Sequence, residues 1–200
     1  MNRIFLTVML AAAVVPCLPP IAVHAQADAQ RNAETLRNAE ALRNAEALRN
    51  ARTLHSKGYT ITVPDDWQVI DEEKTIFTLR APKDDESDTF GENIRVVRHS
   101  VGKSYSVAEV LRRQKSDTGR FKLVDEGTVQ NARVPMVWMA ITPKNPRDAS
   151  DVLVKIDFIT TTKTDIVVLT AMAQPDAWKS YLPRFKKIAE SFMPIATGQP

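Results

Sequence analysis

Seven consecutive residues near the C-terminus, Ile166-Val-Val-Leu-Thr-Ala-Met172, are apolar on both alternate faces. A strand with one wet face alternates apolar and polar side chains, so a run without alternation must be covered on both sides. This segment therefore predicts a mid-sheet strand, and the rest of the chain has to supply neighbours on either edge and cover for either face. Val152–Thr160 supplies one neighbour, in a hairpin turning about Thr161-Thr162-Lys163. One cover comes from the segment that follows. Trp178, Tyr181, Leu182, Phe185, Ile188, Ala189 and Phe192 fall at helical i, i+3, i+4, i+7 spacing, with Lys179, Arg184, Lys186, Lys187 and Glu190 on the opposite side. Such an aromatic stripe reads as core. Pro183 within it predicts a kink or a restart.

Upstream, Tyr59, Ile61 and Val63 alternate with threonine as a half-buried strand, and Pro64-Asp-Asp-Trp67 reads as a turn carrying an aromatic anchor. Strands are also expected over Thr75–Ala81, Asn93–Val101, Phe121–Gln130 and Val134–Thr142. Ser106-Val-Ala-Glu109 has the form of a capping box opening a short helix with Val107, Val110 and Leu111 on one face. The order is strands, a short helix, four strands and a long helix. Sequential hairpins imply an α+β fold with a mainly antiparallel sheet and helices packed on it.

Before this domain the chain has two segments of different character. Arg3 precedes the uncharged run Ile4–Val15, and small-residue cleavage sites follow at Val23-His24-Ala25 and Ala25-Gln26-Ala27. This is the form of a secretory signal peptide over residues 1–27. Pro16, Pro19 and Pro20 interrupt it too often for a spanning helix. Cys17 invites comparison with a lipoprotein site, but Pro16 stands where that site takes glycine, alanine or serine. Cleavage would remove the only cysteine and, among the charged residues, only Arg3. The expected setting is the periplasm, with the thylakoid lumen or the extracellular space as alternatives. No membrane-spanning helix is expected in the mature chain.

Arg31 to Leu54 is four hexapeptides, RNAETL, RNAEAL, RNAEAL and RNARTL. The composition favours helix, and Arg and Glu alternate at every third residue in weakly stabilising pairs. Successive leucines six residues apart turn by about 240° net, so no apolar stripe forms. A solvated helical or disordered spacer is expected over residues 28–57, with the domain at 58–193 and a flexible tail at 194–200.

The opening Tyr59-Thr-Ile-Thr-Val-Pro-Asp-Asp-Trp67, the strand Asn93-Ile-Arg-Val-Val97, the helix start Ser106-Val-Ala-Glu109 and the closing Ile188-Ala-Glu-Ser-Phe192 together resemble the PsbP-like domains. This family includes the extrinsic PsbP subunit of photosystem II, bacterial DcrB-like proteins and a Ran-binding eukaryotic relative. The resemblance covers about residues 58–193 and rests on order and spacing. It implies an α/β/α sandwich on an antiparallel sheet and a role in binding or scaffolding. The hexapeptide repeat is outside the family pattern, and no ion-binding residue carries over.

Catalytic signatures are scarce. There is no G-x-S-x-G, H-E-x-x-H, P-loop or G-x-G-x-x-G, and the six glycines are scattered singly. His55 and His99 lie far apart, and with no cysteine left after cleavage they do not suggest a zinc site. One candidate site is acidic: Asp84, Asp85, Glu86, Asp88 and Glu92 offer hard oxygen ligands for calcium or manganese on a loop, though not in an EF-hand frame. Another is basic: Arg95, Arg98, Arg112, Arg113, Lys115, Arg120 and Lys122 could face an anionic partner, although Arg95 and Arg98 should point to opposite faces of their strand. The net charge of +3 makes no case for nucleic acid. The expectation is a non-enzymatic accessory protein with a protein partner in the cell envelope and no cofactor. The alternatives are an ion-responsive module using the acidic loop, or a hydrolase with two carboxylates about 5–10 Å apart.

Overall fold

The computed structural model describes Arg31, Thr35 and residues 50–83, 90–116, 118–130, 132–145 and 152–195. Contacts divide the chain into residues 1–41 and 42–200. In the first unit Arg31 and Thr35 are helical, with the Thr35 hydroxyl donating to the Arg31 carbonyl at 2.9 Å. The signal segment lies outside the described residues.

In the second unit the elements run β1 (Ala51–Ser56), β2 (Tyr59–Pro64), β3 (Gln68–Ile70), β4 (Phe77–Arg80), β5 (Asn93–Ser100), α1 (Val107–Ser116), β6 (Phe121–Thr128), β7 (Met136–Pro143), β8 (Val154–Thr161), β9 (Asp165–Ala173), α2 (Trp178–Ser191) and β10 (Met193–Pro194). Seven strands form one sheet in the order β3-β4-β5-β9-β8-β7-β6, and β1-β2-β10 form a second. Every pairing is antiparallel. The segment apolar on both faces is β9, the fourth of seven strands, between β5 and β8.

Alternation along β7 to β9 sorts the core. Trp138, Ala140, Phe158, Val167 and Leu169 face one way, where Trp178, Tyr181, Phe185 and Ile188 of α2 and Ile61 and Val63 of β2 meet them. Met139, Ile141, Ile159 and Val168 face the other way, under Val110 of α1. The two helices thus cover opposite faces of the large sheet. The Ser106 hydroxyl accepts the Glu109 amide at 3.1 Å, the expected cap of α1. The Glu109 carboxylate turns outward to Arg113. Among the described residues no helix is long and apolar enough to cross a membrane.

The structure departs from the sequence expectations in four places. The three-residue strand β3 follows Trp67 where the sequence marks no element. Residues 51–56, expected as the end of the spacer, are strand β1, so the sheet begins within the last hexapeptide. Two side chains of that hexapeptide fasten it. Arg52, where the three earlier copies have glutamate, donates to the carbonyls of Asp65 and Trp67 at 3.2 and 2.9 Å, and the Thr53 hydroxyl meets Thr62 across the pair at 3.1 Å. Pro183 neither stops nor restarts α2, which is one helix from Trp178 to Ser191. Its missing N–H forfeits one bond early in the helix, and Tyr181 and Phe185, buried on either side, hold the turn in place. Finally, Pro194 belongs to β10 and the Ile195 amide donates to the Gly58 carbonyl at 2.8 Å, so order extends into the expected tail.

Candidate functional site

The β1–β2 hairpin turns through Lys57 and Gly58, with φ of 47° and 80°. Positive φ at both central residues marks a type I′ turn, whose twist suits a two-residue hairpin. In this turn the Lys57 side chain reaches away from its own hairpin. Its ammonium donates to the Glu73 carbonyl at 2.8 Å and the Thr75 carbonyl at 2.5 Å. Arg52, near the other end of β1, holds the carbonyls of Asp65 and Trp67 just ahead of β3. Two cations thus tie β1, end to end, to the residues flanking β3. With Arg52 beside the residues that precede β3 and Lys57 beside those that follow it, the two strands run in the same direction.

Between them lies a cavity of about 250 Å³ lined by residues 54–57, 69–72 and 75–77. Leu54, Ile76 and Phe77 give it an apolar base, and Val69, 49% exposed, stands at its mouth. β1 and β3 are terminal strands of their sheets, so each presents an unpaired backbone edge. Within the lining, Glu72 pairs with Arg95 at 2.7 Å, and Asp71 and His55 are exposed.

The acidic candidates Asp84, Asp85, Glu86 and Asp88 lie outside the described residues. Glu92 is described and is buried just ahead of β5, its carbonyl accepting the Ala81 amide at 2.7 Å. Among the described residues no group of three or more His, Cys, Asp or Glu is placed to hold a metal ion.

The basic candidates are dispersed. Arg95 shares a sheet face with α1 and is paired with Glu72. Arg98 points to the opposite face, beside Tyr59. On α1, Arg113 pairs with Glu109 and Lys115 with Glu126 of β6. Arg112 is exposed on α1, Arg120 is exposed in the turn before β6, and Lys122 is exposed on β6. Arg98 thus lies on the other face of the sheet from Arg95, and Arg95, Arg113 and Lys115 are each taken up by a carboxylate. Exposed ion pairs of this kind contribute little to stability. A smaller basic cluster, of which the sequence singled out only Arg113, joins the loop ahead of α1 to the last turn of that helix. There Lys103 and Arg113 lie 5.0 and 4.7 Å from the centre of the Tyr105 ring. The hydrogen bond from Lys103 holds the Tyr105 phenol below its ordinary range, with Arg113 adding to the effect.

Tyr59 behaves in the opposite way. Its ring stacks on Phe192 at 5.3 Å, and burial pushes its phenol above the usual value. The Asp165 carboxylate adds to the rise and Arg98 opposes it. A phenol with a raised folded-state pKa contributes stability that is fully present below the unfolded value of about 10 and is lost as pH rises through the folded value. Thermal melts at pH 8 and pH 11 should therefore show a smaller alkaline loss in Tyr59→Phe than in the parent. An equal loss in both would contradict the buried, protonated phenol.

A seven-stranded antiparallel sheet with one helix on each face, flanked by a short N-terminal hairpin, is the PsbP-like fold. Among solved structures the chain is similar to a point mutant of the protein Mog1, with 12% identity over 74% of this chain and 97% of that one and a TM-score of 0.53. It is also similar to LpqN of Mycobacterium tuberculosis, described as involved in cell envelope biogenesis, with 14% identity over 74% and 95% of the two chains and a TM-score of 0.52. PsbP of the cyanobacterium Synechocystis sp. PCC 6803 matches with 14% identity over 72% and 92% and a TM-score of 0.50. These likenesses show the fold. No protein-family model matches the chain, and no curated protein sequence matches it.

Proposed function

We propose that this protein is an exported, non-enzymatic binding or accessory subunit of a larger complex in the cell envelope, most naturally in the periplasm. The observation that carries the reading is the cleft between β1 and β3. It combines an apolar base with open backbone edges, the equipment of a docking site, and its cations are committed to carbonyl groups. The fold shared with LpqN, described as acting in envelope biogenesis, and the signal-like first 27 residues support the same setting.

Two measurements test this. N-terminal sequencing of the secreted chain should begin after Ala25 or Ala27. Crosslinking in intact producing cells should trap the same partner in independent preparations. An unprocessed cytoplasmic chain, or recovery of monomer alone, overturns the proposal.

A further inference from the structure

Building on the binding reading, we propose that the cleft between β1 and β3 is a strand-addition site. Its occupant is an extended segment of a partner protein, with an apolar side chain at its centre and a lysine or arginine on each flank.

The backbone makes the first argument. In a two-residue hairpin the residues flanking the turn bond each other, here Ser56 and Tyr59, and every second pair beyond them does the same. That leaves the N–H and C=O groups of Thr53 and His55 directed away from β2. They have no protein partner among the described residues. The same alternation on β2 is visible at its far edge, where Thr62 bonds the Ser191 hydroxyl through both its N–H and its carbonyl. An extended peptide laid along β1 would satisfy the outward groups as a fourth strand of the small sheet.

Size and preorganisation make the second. A volume of about 250 Å³ is below the range of about 300–1,000 Å³ that encloses a drug-sized molecule. It suits one or two apolar side chains, for which Leu54, Ile76 and Phe77 form the base and Val69 the lip. The ties from Arg52 and Lys57 hold the two walls in place before anything binds.

Charge makes the third. β3 is bracketed in sequence by Asp65-Asp66 and Asp71-Glu72-Glu73. Glu72 is paired with Arg95, whereas Asp65, Asp66, Asp71 and Glu73 are exposed and have no ion-pair partner among the described residues. The nearby Arg52 and Lys57 are turned onto carbonyl groups. A chain running beside β3 therefore meets unpaired carboxylates at both ends, which selects basic flanks around an apolar centre.

The test is titration of the isotope-labelled, exported protein with the nonapeptide Lys-Thr-Val-Thr-Leu-Thr-Val-Thr-Lys, read by backbone amide shifts. Shifts confined to residues 53–57, 68–72 and 75–77 are expected. Binding should weaken at least tenfold when the central leucine is N-methylated, when both lysines are replaced by glutamate, or in the protein variant Val69→Lys. Val69 is half-exposed, and a circular dichroism spectrum unchanged by the substitution will show that the fold is intact. No shift up to millimolar peptide, shifts centred elsewhere, or indifference to N-methylation overturns the site. A peptide of the chain's own repeat, Arg37–Leu48, binding the same amides more tightly overturns the choice of occupant. So does dimerisation through the cleft, detected by sedimentation. If a photo-crosslinker at Phe121 captures the cellular partner and one at Val69 does not, the cleft proposal falls and the binding function stands.

Discussion

Phe185→Ala is expected to lower the free energy of unfolding by about 3–5 kcal/mol, the range for removing a buried aromatic ring without full collapse of the space. Phe185 is fully buried in the middle of α2. Its ring and that of Trp67 stand edge to face, with centroids 6.3 Å apart and planes at 89°, and it tilts against Tyr181 at 5.7 Å. Alanine would forfeit the burial of the ring and two aromatic contacts worth about 0.5–1.5 kcal/mol each. The void could not close easily, because Trp67 is anchored through its carbonyl by Arg52 and α2 is held by buried residues one turn away on either side. Urea unfolding should show a lower midpoint with an unchanged slope. Lys187→Ala, two residues along on the exposed side of the same helix and paired with Glu190 at 2.8 Å, should stay within about 1 kcal/mol of the parent. A loss below about 1 kcal/mol for Phe185→Ala would mean that α2 does not close the core as described.

The parts of the fold that could be read from sequence were those where one residue pattern had one physical solution. Ile166–Met172 had to be central, and the stripe from Trp178 to Phe192 had to be a helix covering it. The parts that could not be read depended on partners distant in the chain. The last hexapeptide differs from three helix-favouring copies at one or two positions. It becomes β1 because β2 offers an antiparallel partner and because Arg52 and Thr53 find acceptors that no local rule foresees. β3 has only three residues, too few to show a period. The cleft was invisible for the same reason, since both its walls are strands that the pattern does not mark. The charged residues that stood out in sequence did so by density. Density does not determine direction, and alternation sent Arg95 and Arg98 to opposite faces as their spacing required.

Gly127→Ala sets two effects against each other, and their magnitudes decide the sign. Gly127 is not among the residues of positive φ, so alanine can adopt its backbone conformation. Replacing a glycine in a permissive conformation stabilises by about 0.4–1 kcal/mol, by restricting the unfolded chain. Against this, Gly127 sits directly opposite Trp138 in the β6–β7 ladder. A Cβ there would come within 2.9 Å of the indole Nε1 and 3.3 Å of Cε2. Trp138 is a poor candidate for yielding. Its ring is buried in the main core, with the Lys186 ammonium 4.1 Å from the ring centre. Overpacking a position of this kind costs about 1–3 kcal/mol, which exceeds the entropic gain. A net destabilisation is therefore expected, partly relieved by an outward shift of β6, which has a neighbour on one side only. The pair can be isolated with a double-mutant cycle. Trp138→Phe removes the nitrogen that the new methyl would strike, so Gly127→Ala should cost less in that background than in the parent. Equal costs in both backgrounds would show that the glycine serves the strand alone and that the indole has room to move.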